Sequence, residues 1–329
     1  MHREGGLISS TAPKSVPAYE LLERIGEGGS AEVWRAKHRL LGHEAAVKLL
    51  RTEDAASELM RERFKFEARC AAALRSPHAA EIYDFGAADD GTPFLAMELL
   101  HGIDLQRLVT QFGPQSPGRT IRLLEQACDV LHEAHGRGIV HRDIKPANIF
   151  VTRQATQGDC AKVVDFGLVR AIGCDRNEAT TPQNMSGSLA FIPPEVVTAE
   201  CVGECDVDGR ADIYALGCVA YWLLTGELVF NAPTPIAMAA AHALSKPLLP
   251  SEATEQSIPA ELDECVQDCL AKDPGQRPQN AKELAERLRA IAVEDPWTRE
   301  LANDWWATHL PETPIDGRSL AKAHRGSSG

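Results

Sequence analysis

Residues 141–148 read His-Arg-Asp-Ile-Lys-Pro-Ala-Asn, and seventeen positions after Asn148 the chain runs Asp165-Phe166-Gly167. This pairing constrains the chain more than any other feature, because it brings a lysine and three metal- or proton-handling groups into two short loops. Aspartate and asparagine oxygens are hard donors suited to Mg²⁺, and a lysine beside them suits a phosphoryl group in transfer. Asp-Phe-Gly alone is a weak signal. Preceded at short range by the octapeptide, it is a strong one.

The 329 residues suffice for one two-lobed domain or two ordinary ones, with an ample core. Lys and Arg number 34 against 47 Asp and Glu, a formal net charge of −13. That balance argues against a general binder of nucleic acid or anionic membrane. Nine scattered cysteines, an odd number, favour reduced thiols and a cytoplasmic location. Zinc would require the pairs Cys201/Cys205 and Cys265/Cys269 to converge, and no histidine is well spaced to help. No signal peptide is evident behind Met1, and the longest nearly uncharged stretch, Ile213 to Leu224, is too short to span a bilayer.

Residues 1–18 read as a flexible leader. Strand-like segments follow at 19–25, 32–36 and 44–50, then a helical stretch at 54–75 and two more strands near 81–85 and 93–100. After Gly102 the pattern turns helical: 118–136, 213–224, 262–270 and 281–291. Trp297, Trp305 and Trp306 are too apolar for a solvated tail, so a helix over about 294–310 is expected to pack on the helical lobe. Residues 311–329 read as disordered.

Several motifs fall on this frame. Ile25-Gly26-Glu27-Gly28-Gly29-Ser30-Ala31-Glu32-Val33 joins two strands, whereas a dinucleotide fingerprint needs a following helix. A plain Gly-rich hairpin is the competing reading. Ala45-Ala46-Val47-Lys48 puts a lysine among apolar neighbours, costly unless it is paired. Pro93 to Leu100, Gly187 to Glu195, Asp212 to Gly217 and Lys272 to Pro278 complete the set.

Together these motifs resemble the eukaryotic-type serine/threonine protein kinases, in a bacterial style, over residues 19–290. The resemblance implies an α+β bilobal fold: a five-stranded antiparallel sheet with one helix over about 19–98, a hinge at 98–102, and a mainly helical lobe over 103–290. The remainder, 291–329, would hold the Trp-rich helix and tail. It implies transfer of the γ-phosphoryl of ATP to protein Ser or Thr, with Mg²⁺ and with Mn²⁺ as an alternative ion. In the family, the loop from Ile25 to Val33 covers the ATP phosphates, and Ala31 replaces its third glycine, which implies a looser grip. Lys48 would bond the α/β-phosphates and a helix acid, here Glu67, with Glu58 and Glu62 as alternatives. One turn later Ala71 stands where the family usually carries a larger residue.

Ala46, Met97 as gatekeeper, and the backbone of Glu98 to Leu100 would surround adenine, with Asp104 on the ribose; Met97 also reads as ordinary core. Asp143 would accept the substrate proton, Lys145 steady the γ-phosphate, and Asn148 and Asp165 hold the metal. Ser188 takes the place of a threonine that bonds the catalytic aspartate and lysine. Glu195 would pair with Arg277 in the interior, and Asp212 would hold the catalytic-loop backbone or cap its own helix. Arg142 implies an activating phosphate, with Thr180, Thr181 and Ser186 as candidates, and self-association would serve trans-autophosphorylation. Asp104 alone is acidic among the positions (with Ala147 and Trp222) that favour arginine before the target, so a weak preference at −2 is expected. A nucleotide-binding scaffold without turnover and a small-molecule phosphotransferase are the competing classes. The intact acids oppose the first, and the Glu195–Arg277 motif the second.

Overall fold

The computed structural model describes residues 15–156, 158–166, 189–202 and 207–314, the side chains of 199–202 excepted. The described residues divide into two compact units. The first runs through Ala68 and adds Glu81–Leu99. The second holds Arg69–Ala80 and the chain from Leu100 onward.

In the first unit β1 (Tyr19–Glu27), β2 (Ala31–His38), β3 (Glu44–Leu50), β4 (Ile82–Ala87) and β5 (Pro93–Met97) form one antiparallel sheet in the order β1-β2-β3-β5-β4. β3 is the central strand and is apolar on both faces. Ala45, Val47 and Leu49 pack with Tyr19, Ala36, Phe94 and Ala96. Leu50, on the opposite parity, packs with Phe64, Ala68 and Leu95. Phe64 and Ala68 lie one turn apart on α2 (Glu58–Ala73), which follows the single turn α1 (Thr52–Ala55). Lys48 shares the parity of Leu50, so its side chain emerges on the face that α2 covers.

Residues 69–80 group with the second unit because Leu74 and Ala79 join its core. That core surrounds α6 (Arg210–Thr225), which is buried almost all round and stops at Gly226 in the left-handed region (φ 74°). α3 (Leu105–Phe112), α4 (Pro117–Gly136), α8 (Ala260–Cys269) and α9 (Ala281–Ala290) contribute to that core, while α5 (Pro194–Val202) and α7 (Pro235–Leu244) share a smaller cluster around Ile192 and Met238. A small antiparallel sheet, β6 (Gly102–Asp104), β7 (Ile149–Gln154) and β8 (Gly158–Val163), has the order β6-β7-β8. The sequence reading had no strands in this region; the apolar runs of β7 and β8 are too short to register. Cys265 and Cys269 are buried free thiols on α8. The chain ends its described part with α10 (Arg299–His309), on which Trp306 is fully buried. No described helix is long and apolar enough to cross a membrane.

Candidate active site

In the first unit, Ile25, Gly26 and Glu27 end β1, while Ala31, Glu32 and Val33 begin β2, with Gly26 opposite Val33 and Glu27 opposite Glu32. Ile25 falls at an irregularity between Arg24 and Gly26, Gly28, Gly29 and Ser30 form the turn, and the Gly28 N–H donates to the Ala31 carbonyl (2.8 Å). Ala31 is itself buried. Lys48 Nζ meets Glu67 Oε1 at 2.7 Å, with side chains 13% and 8% exposed. Such a pair is retained only when both charges are partnered, since either alone would be an uncompensated buried ion. Of the three helix acids Glu58, Glu62 and Glu67, it is Glu67 that makes this contact. Met97 sits opposite Ala46 across the ladder. The Glu98 N–H donates to Glu81 O (2.8 Å), and its carboxylate accepts from the Glu81 N–H (3.1 Å).

The second unit gathers the two loops that opened the sequence. Lys145 Nζ lies 2.7 Å from Asp143 Oδ2. Asn148 Nδ2 donates to Asp143 O at 2.8 Å and to Asp143 Oδ2 at 3.0 Å. Both amide protons' work is thereby directed at Asp143, which leaves Asn148 Oδ1 as the atom offered outward. Asn148 immediately precedes β7, and Asp165 follows β8 by two residues, so one hairpin carries both at its open end. Val164 ties the ends together: its N–H donates to Asn148 O (3.0 Å), and its carbonyl lies 3.1 Å from His141 Nε2. Phe166 is buried and its ring centroid is 4.6 Å from that of His141.

Two non-glycine residues of these loops adopt positive φ, Arg142 at 63° and Asp165 at 54°. Such conformations persist where surrounding contacts over-determine them. For Arg142 the contact is Asp212, whose oxygens accept the N–H groups of His141 and Arg142, each at 2.8 Å. Asp212 also meets His135 Nε2 at 2.8 Å. It lies in the first turn of α6 but does not cap it; Gly209 holds that position. The Arg142 guanidinium reaches Val207 O at 3.4 Å, and its Nε has no acceptor among the described residues.

Arg277 and Glu195 form a two-pronged pair, both contacts 2.7 Å, with the arginine side chain fully buried and the glutamate 21% exposed. The guanidinium also donates to the carbonyls of Ala271, Lys272 and Arg210. Asp104 is buried as the N-cap of α3, accepting the Arg107 N–H at 2.8 Å. That bond uses one of its oxygens; the sequence reading of a ribose contact did not foresee the cap. Leu100 opens the second unit. Ser188, Thr180, Thr181 and Ser186 lie outside the described residues, as does Gly167.

Sequence reasoning missed Asp159. It stands on β8, is buried, and pairs with the buried Arg119 of α4 at 2.8 Å. A lone aspartate in Gln-Gly-Asp-Cys gives no local signal of this.

The protein kinase domain family matches residues 19–288. The serine/threonine-protein kinase PknB of Mycobacterium tuberculosis is 38% identical over 296 residues, covering 89% of this chain and 46% of that protein. Its namesake in Mycobacterium leprae is 36% identical over 299 residues, 90% of this chain and 46% of that protein. The chain thus spans about half the length of the curated relatives it matches. Among solved structures, the PknI kinase domain of M. tuberculosis (a double mutant) superposes with a TM-score of 0.63 at 27% identity, covering 83% of this chain and 95% of that one. With a family match over most of its length and a fold shared with a solved kinase domain, this chain belongs to the protein kinase family.

Proposed function

We propose that the chain is a serine/threonine protein kinase that transfers the γ-phosphoryl of ATP, with Mg²⁺ or Mn²⁺, to Ser and Thr hydroxyls of protein substrates. The observation that carries this reading is the cluster Asp143–Lys145–Asn148, in which one carboxylate oxygen receives both the lysine and the asparagine amide. Asp143 orients the substrate hydroxyl and takes its proton; Lys145 offers positive charge to the phosphoryl group as it moves. The donor set fits a hard divalent ion: Asn148 Oδ1, left over by the amide's bonds to Asp143, and the carboxylate of Asp165. When bound, such an ion neutralises phosphate charge that the loops alone would leave repelling Asp143. Lys48, fixed by Glu67, is the phosphate-binding cation of the first unit, and the turn at Gly28–Ser30 leaves backbone amides accessible to anions.

Arg142, with an unsatisfied Nε among the described residues, is the group that an activation-segment phosphate would engage. Thr180, Thr181 and Ser186 are its candidate sites, self-association serves phosphorylation in trans, and the working compartment is the cytoplasm. The decisive experiment is Mg²⁺-dependent ³²P transfer to the chain itself and to a generic protein, beside Asp143→Asn. Loss of about 10²–10⁴-fold in rate with ATP binding retained is expected. Wild-type protein that binds Mg-ATP yet transfers nothing is a scaffold instead.

A further inference from the structure

The family match ends at residue 288, yet the fold does not. Beyond it, the chain returns to the second unit and closes over Asp159. Trp297 Nε1 donates to Asp159 Oδ2 at 2.9 Å, and Trp306 Nε1 donates to Oδ1 at 2.7 Å. Arg119 supplies the remaining bonds, Nε to Oδ2 at 2.8 Å and Nη2 to Oδ1 at 3.4 Å. Each carboxylate oxygen therefore has two donors. The Arg119 guanidinium is in turn enclosed by two rings, Trp305 at 4.0 Å and Trp297 at 4.7 Å from centroid to Cζ. A buried ion pair is costly unless all its valences are met, and here the post-domain segment meets half of those on Asp159.

The position of Asp159 gives the cluster its consequence. It lies at the turn end of the β7–β8 hairpin, opposite Arg153, and the other end carries Asn148 and Asp165. Five residues separate Asp159 from Asp165, a span of at most about 20 Å in extended chain. That stretch is an outer strand of its sheet and is pinned along its free edge. Gln126 accepts the Ala161 N–H at 2.6 Å and donates to Asp159 O at 3.3 Å. His78 O accepts the Val163 N–H at 2.8 Å, and His78 Nδ1 lies 3.0 Å from Ala161 O. Val164 then bonds Asn148 and His141, as described above. The strand is thus held at both ends and along its edge, and the Asp159 cluster is its anchor at the turn end.

We propose that residues 297–306 act as a positioning clamp. Trp297 and Trp306, through Asp159, hold β8 in register so that Asn148 and Asp165 keep metal-binding separation. The clamp touches neither nucleotide nor metal. It rests on the kinase reading given above.

The test uses the full chain with Trp306→Phe and Trp297→Phe, which keep a ring and remove the N–H donor. Mn²⁺ binding in the presence of a non-hydrolysable ATP analogue, followed by electron paramagnetic resonance, is the first readout. Amide hydrogen exchange at Val163–Phe166 is the second. Both variants are expected to raise the Mn²⁺ half-saturation about tenfold, the usual effect of losing support behind a ligand, and to speed that exchange. Leu288→Ala, a cavity in the same core, is expected to lower the melting temperature without moving either readout. If the tryptophan variants melt earlier yet keep wild-type Mn²⁺ affinity and exchange, the clamp is merely structural and the proposal falls. Should Trp306→Phe fail to fold, the half-buried Trp297 decides by itself. Wild-type protein that binds no Mn²⁺–nucleotide would overturn the kinase reading rather than the clamp.

Discussion

His242 has no solvent access, and burial together with the nearby Lys272 ammonium pushes its pKa down to about 4. The ring is therefore neutral in the fold, with Nδ1 2.9 Å from the Tyr214 hydroxyl, which burial keeps protonated. The Lys272 ammonium in turn donates to the His242 carbonyl at 2.8 Å and sits 4.7 Å over the Phe230 ring. In the unfolded chain His242 takes up its proton near pH 6.5, well before the folded form does. Its contribution to stability is thus intact above about pH 6.5 and is lost as the pH falls toward the folded value. Between about pH 7.5 and about pH 5 the loss should be about 2 kcal/mol. Urea unfolding of wild type and His242→Asn at both pH values measures it, since carboxylate titrations common to the two cancel. Equal pH dependence in the two proteins would show that the histidine is not held neutral.

Elements in this fold meet through positions that tolerate no side chain, and one of them is Gly118 in the first turn of α4. A Cβ there would lie 2.6 Å from Asp295 O and 2.9 Å from Trp297 N, both backbone atoms. Neither can rotate away, so Gly118→Ala must lift the segment that leads into α10. A cost of roughly 1–3 kcal/mol is expected, as for other overpacked contacts. Tryptophan fluorescence should shift to the red as the rings gain water, and an unshifted spectrum would mean the segment accommodates the methyl. Gly158, at the other end of the clamp, is constrained twice, by φ of 77° and by Ala302 Cβ at 2.6 Å from a would-be Cβ.

These contacts mark the limit of what the sequence makes legible. The Lys48–Glu67 partnership was legible only through the family resemblance, by the motif Arg63-Phe64-x-x-Glu67-Ala68; spacing by itself left Glu58 and Glu62 open, and the 2.7 Å contact selects Glu67. The Asp143–Lys145–Asn148 cluster was legible because its residues lie within one octapeptide. The tryptophans announced burial but not their acceptor, which is 138 residues from Trp297 and 147 from Trp306. The β7–β8 hairpin also escaped, being two short apolar runs within a region otherwise patterned for helix.

Across the whole molecule, 47 acidic against 34 basic residues give a field that attracts cationic polypeptides. The one acid that the sequence suggested for arginine recognition, Asp104, spends an oxygen on capping α3. Preference for basic substrates should then come from long-range attraction more than from a dedicated subsite. The two sources respond differently to salt: the Debye length shrinks from about 30 Å at 0.01 M to about 8 Å at 0.15 M, which screens the diffuse field but spares a close ion pair. The expected result is that kcat/KM for a Lys- and Arg-rich peptide falls about tenfold over that range, through KM, with kcat nearly unchanged. A neutral peptide of the same acceptor sequence should show little change. A basic preference that persists at the higher salt would instead place a partly buried carboxylate against the substrate, and Asp104→Asn would be the variant to abolish it.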